Sequence, residues 1–61
     1  MPLRIYLLEA KMWFEAGLPE MAILALKQAL AAANREAASA RPHIFRALNF
    51  ARAAVNQKVQ S

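Results

Sequence analysis

Gly17-Leu18-Pro19 constrains this chain most: it holds the only glycine, a proline two residues later, and an apolar stretch of helical period on either side. Glycine takes the left-handed conformation that ends a helix. Proline opens the next helix, where its missing N–H leaves nothing unsatisfied. A turn this short is suited only to an antiparallel hairpin. Pro2 can open a helix in the same way, so the pattern predicts helix one over about 3–16. Helix two starts at Pro19, with Glu20 at the positive end of its dipole. The next break is Arg41-Pro42, because a residue before proline is pushed out of the helical region. Helix two is therefore predicted over 19–39 and an amphipathic helix three over 43–58, with a polar tail from Gln57 to Ser61. The expected fold is all-α, a single small domain over 1–61 made of a helical hairpin plus a third helix.

Size and composition bear on how such a domain holds together. Its 61 residues can bury only roughly 60% of the surface of the unfolded chain. There is no cysteine, hence no disulfide to reinforce the core and no thiolate metal site. The chain is 59% hydrophobic, but fifteen of its residues are alanine, the best helix former and the side chain with least to bury. Small scaffolds without staples gain stability by associating. The reading is an all-α chain completed by oligomerisation, as a homodimer or other homo-oligomer.

No segment has the make-up of a membrane span. The apolar run from Leu3 to Phe14 is interrupted by Arg4, Glu9 and Lys11, which does not suit a signal-peptide core. Met21 to Ala33 is broken by Lys27 and falls short of the roughly 18 uncharged residues a span needs. The expected location is cytoplasmic.

Helix one projects two apolar faces. Leu3, Leu7, Ala10 and Phe14, widened by Tyr6 and Trp13, form one; Ile5, Leu8, Met12 and Ala16 form the other. A helix apolar nearly all round belongs in an interior, and helix two cannot cover both faces. Either helix three or another chain covers the second. Helix two sets Ala22, Ala25, Ala29 and Ala33 in a row beside Ile23, Leu26 and Leu30, a pattern that lets helices cross closely. Helix three carries the stripe Ile44, Leu48, Ala51, Val55 and Val59, bordered by Ala47 and Ala54. Phe45 and Phe50 lie off that stripe among polar residues. Aromatic and arginine neighbours are enriched at interface hot spots, which marks Phe45, Arg46, Phe50 and Arg52 as candidate partner-binding residues. The opposing reading is that the loop after helix two folds over one of the phenylalanines.

From about Leu3 to Leu30 the chain resembles a single tetratricopeptide repeat. Tyr6 stands at the first-helix aromatic and Trp13-Phe14 at the second aromatic pair. Gly17 stands at the turn, and Ala22-Ile23-x-x-Leu26-x-x-Ala29-Leu30 along the second helix. It departs from the family where Glu9 replaces a leucine, Ala10 a small glycine, and Asn34 the proline that often ends the repeat. Helix three lacks the aromatic pair and turn glycine of a further copy, and repeats of this kind need neighbours to complete a core. The resemblance implies peptide or protein binding, with the first helix lining the groove; this aims Arg4, Leu8, Lys11, Met12 and Glu15 at a ligand.

Catalytic chemistry finds little support in the residues. There is no aspartate, no cysteine and no serine or threonine near a base, and His43 stands alone. A metal or nucleophile-activating role needs partners the chain does not offer, so no enzyme activity, cofactor or metal is expected. Charge is divided instead. Residues 1–40 balance Arg4, Lys11, Lys27 and Arg35 against four glutamates, so the whole +4 belongs to Arg41, Arg46, Arg52 and Lys58. A basic helix after a hairpin suits an acidic protein surface, with nucleic acid or an anionic membrane as competitors. Arg46 and Arg52 point about 120° apart at the helical period, which does not make one groove-reading face. The resulting expectation is a non-enzymatic protein–protein interaction module: an adaptor, anti-activator or inhibitor of a partner protein. The alternative is a small basic nucleic-acid-binding dimer.

Overall fold

The computed structural model describes residues 2–60. Those residues form three α-helices and no strand: α1 over Pro2–Glu15, α2 over Pro19–Glu36 and α3 over Arg41–Gln60. The fold is all-α, as the sequence pattern predicts.

The hairpin turn is built from the residues that announce it. Gly17 has φ +77°, the left-handed region. Its N–H donates to Phe14 O at 3.1 Å and the Leu18 N–H to Trp13 O at 2.9 Å. These two reversed bonds close a Schellman cap over the last carbonyls of α1. Pro19 then opens α2, and the Leu18 carbonyl accepts from Met21 N at 3.0 Å and Ala22 N at 3.3 Å.

The second connection corrects the expected boundaries. Helix two ends at Glu36, not Ser39, and helix three begins at Arg41, not His43. Ala37 carries the break with an extended backbone (φ −157°, ψ 78°), its N–H still bonded to Ala33 O at 2.9 Å. A 3-10 turn, Ala38–Ala40, leads into α3. Arg41 is helical (φ −55°, ψ −45°) although it precedes Pro42. The pre-proline preference is steric and can be overcome. Pro42 sits in the first turn, where no N–H is needed, so the proline marks the start of α3 instead of excluding its neighbour.

α2 is the middle helix. The α1 N-terminus meets the α2 C-terminus, where Leu3, Arg4 and Leu7 share a recess with Glu36 and Ala37. Lys58, near the end of α3, reaches Gly17 O and the Glu20 carboxylate at the start of α2. Both outer helices are therefore antiparallel to α2 and parallel to each other. α2 buries Ala22, Ala25, Leu26, Ala29, Ala32 and Ala33, and this small-residue surface lets both neighbours approach. α1 contributes Ala10, and α3 contributes Ile44, Leu48 and Ala51. Of the ten buried core residues among those described, seven are alanine; only Leu26, Ile44 and Leu48 are larger. Leu3, Tyr6, Trp13, Phe14, Ile23 and Leu30 are partly buried around them.

Two stripe assignments change. Val59 is 80% exposed instead of closing the α3 stripe. Lys58 already lies level with the hairpin turn, so Val59 falls beyond the end of α2. Leu7 is also exposed, at the flank of the core-facing side of α1.

Candidate interaction surfaces

α1 presents its second apolar face to solvent. Ile5, Leu8 and Met12 are 54%, 56% and 67% exposed, and Ala16 beyond them is exposed as well. α3 packs on α2 and leaves this face open, so one of the two coverings considered for it, helix three, is not the one found. Arg4, Lys11 and Glu15 are exposed along one edge of the face. At the helical period these three fall beside Leu8 and Met12, so the five candidate residues of α1 share one continuous surface.

The four candidate residues of α3 are all exposed but divide between two edges. Phe45 and Phe50 lie about 140° apart around the helix. Phe45 shares its edge with Arg41 and Arg52. The Arg41 guanidinium carbon stands 5.9 Å from the Phe45 ring centroid, a cation–π arrangement between residues one helical turn apart. The residue that leans on this ring belongs to α3 itself.

Phe50 shares the other edge with Arg46 and meets Phe14 of α1 edge to face, with ring centroids 5.6 Å apart and planes at 69°. Together they wall a cleft of about 640 Å³ at the hairpin end, completed by Gly17, Pro19, Ala54, Gln57 and Lys58. Lys58 Nζ donates to Gly17 O at 3.2 Å and lies 3.4 Å from both Glu20 carboxylate oxygens. The cleft therefore has aromatic and proline walls and a tethered cation at its rim. It can accept an apolar side chain. Helix-by-helix reading of the sequence missed this cleft, because Phe14 and Phe50 meet only once the direction and register of α3 are known.

The Glu20 carboxyl is held below its ordinary pKa, first by its own backbone N–H at the open start of α2; desolvation opposes this and Lys58 adds to it. At the other end of the hairpin, Glu36 Oε1 is covered without a hydrogen-bond partner. Among the described residues no group of three or more His, Cys, Asp or Glu gathers where a metal ion would sit. No helix among them is long and apolar enough to cross a membrane.

No family model, curated protein or solved structure matches the chain.

Proposed function

We propose that this chain is a non-enzymatic, cytoplasmic protein–protein interaction module, an adaptor, anti-activator or inhibitor that acts by occupying a surface of another protein. The observation that carries the reading is the distribution of its large apolar side chains. Nine of them are exposed among the described residues, while the buried core holds three. A lone exposed leucine means nothing, which discounts Leu24 and Val59. Ile5, Leu8 and Met12 are different: they form a contiguous row on one helix face, the kind of patch that marks an interaction site. The tetratricopeptide-like pattern of Leu3 to Leu30 supports the same reading by resemblance.

Two surfaces divide the work. The outer face of α1 offers Leu8 and Met12 flanked by Arg4, Lys11 and Glu15. The α3 surface offers Phe45 with Arg52 on one edge and Phe50 with Arg46 on the other. With no acid in residues 41–61, α3 suits a partner that is acidic around an apolar centre. A nucleic-acid role draws on the same charge. However, the arginines are split between two edges and Lys58 is paired with Glu20, which leaves no single basic face to follow a groove.

The test is affinity capture from native extract, with Phe45→Ala and Arg52→Glu as comparison baits. A protein retained by wild type and lost with both variants, while helicity is kept, is the expected result. Equal capture by all three would remove α3 from the binding surface. A sequence-selective mobility shift with duplex DNA at physiological salt would instead favour the nucleic-acid reading, since phosphate-driven binding fades steeply as salt rises.

A further inference from the structure

Phe50 is 68% exposed although its ring rests edge to face on Phe14. The cleft that these two rings wall, about 640 Å³, is within the size range of concave ligand sites. Pro19 and Ala54 complete its apolar lining, and a third ring can extend an edge-to-face pair in the same geometry. We propose that this cleft receives one aromatic side chain from an acidic segment of the partner protein. The inference deepens the interaction-module reading and rests on it.

Charge selects what flanks that side chain. Arg46 precedes Phe50 by one helical turn on the same edge of α3, and Lys58 stands at the rim on the other side. The two cations are twelve residues apart, about 18 Å along the helix axis, the span of roughly five to six extended residues. Carboxylates two or three residues to either side of the anchor therefore come level with one cation or the other. None of the residues lining the cleft is acidic, and residues 41–61 contain no acid. A basic segment would meet like charge at both ends. Lys58 lies 3.4 Å from Glu20 in an exposed pair, the kind that contributes little. A partner carboxylate can join that cluster, and Arg46 carries the larger share of the charge recognition.

Phe45 is not an equivalent receptor. Arg41 already lies over its ring, which leaves Phe50 as the wall that a guest ring can meet. One anchored ring between two exposed ion pairs makes a contact much smaller than the about 800 Å² per partner of a standard interface. The segment alone therefore binds weakly, and other surfaces of the module add to it in the whole partner.

A seven-residue peptide with phenylalanine at its centre and aspartate elsewhere tests this, titrated into isotope-labelled protein and followed by NMR. Binding should saturate, with shifts gathered at Phe14, Gly17, Phe50 and Gln57. A peptide with alanine at the centre should bind about tenfold more weakly or worse, and so should one with lysine in place of aspartate. Phe50→Ala should give the same loss. Ala54→Phe, which fills the cleft and leaves both aromatic walls in place, should abolish binding. Both positions lie outside the buried core, so helicity should be kept. Arg46→Glu should cost about tenfold, whereas Phe45→Ala should change nothing. No saturable binding to wild type, or equal binding by the Phe50→Ala and Ala54→Phe proteins, overturns the cleft site. Equal binding of the lysine peptide overturns the acidic occupant. If capture from extract still depends on Phe45 and Arg52 in those cases, the module reading stands without the cleft. If capture is unchanged by Phe45→Ala, Arg52→Glu and Phe50→Ala alike, both fall.

Discussion

Glu20 shows how little a conspicuous contact contributes on the surface and how its contribution can still be measured. Its ion pair with Lys58 is exposed at both ends, and such pairs add little stability. The carboxyl is nevertheless lowered by its own backbone N–H first, with Lys58 assisting. A carboxyl lowered in the folded state contributes stability that is present above its unfolded pKa and lost as pH falls through the folded value. Glu20→Gln should therefore melt below wild type at neutral pH, and the difference should close as the solution is acidified. Thermal melts of the two proteins across the acid range check this; a gap that widens on acidification contradicts it. Gly17 is the complementary case. A side chain there would meet nothing within 4 Å, yet φ is +77°, so the residue is required by backbone conformation and not by space.

The helices differ in how readable they were. Gly17 and Pro19 act locally, through φ preference and a missing N–H, so the hairpin and its ends were visible in the residues themselves. The break after α2 was not. Ala37 has no distinctive side chain, and its extended backbone (φ −157°) is imposed by the return of α3 onto α2, a tertiary requirement. The apolar row of α1 was legible for the same local reason as the hairpin, since period alone defines a face. Its exposure depended on where α3 would pack. Likewise Phe45 and Phe50 could be placed off the core stripe, but the Phe14–Phe50 contact needed the relative register of two helices that are not sequence neighbours. α2 also carries a sharp expectation of its own. Ala29 is fully buried at the centre of three close-packed helices, and overpacking such a site costs about 1–3 kcal/mol. Ala29→Leu should lower the unfolding free energy by that amount and the denaturation midpoint with it, whereas Leu24→Ala, at an exposed position of the same helix, should leave both nearly unchanged. Chemical denaturation of both variants separates the two outcomes.

At the scale of the molecule, a core in which most buried side chains are alanine leaves little apolar area to hold 61 residues together. If association supplies the remainder, stability depends on protein concentration by mass action. Melting temperature should fall over a hundredfold dilution, by roughly 4–8 °C for each kcal/mol withdrawn from a domain of this size. Scanning calorimetry at the two extremes measures it, and an unchanged midpoint would mean that the monomer is self-sufficient. The central position of α2 has a further consequence, for speed. Each outer helix meets the helix next to it in sequence, and the connections to be closed are only residues 16–18 and 37–40. The search for the native arrangement therefore involves short-range encounters almost throughout, and chains of such low contact order fold in roughly microseconds to milliseconds. A chain that rebuilds itself this quickly can open and close again well within the time a slower fold would spend exposed to proteases.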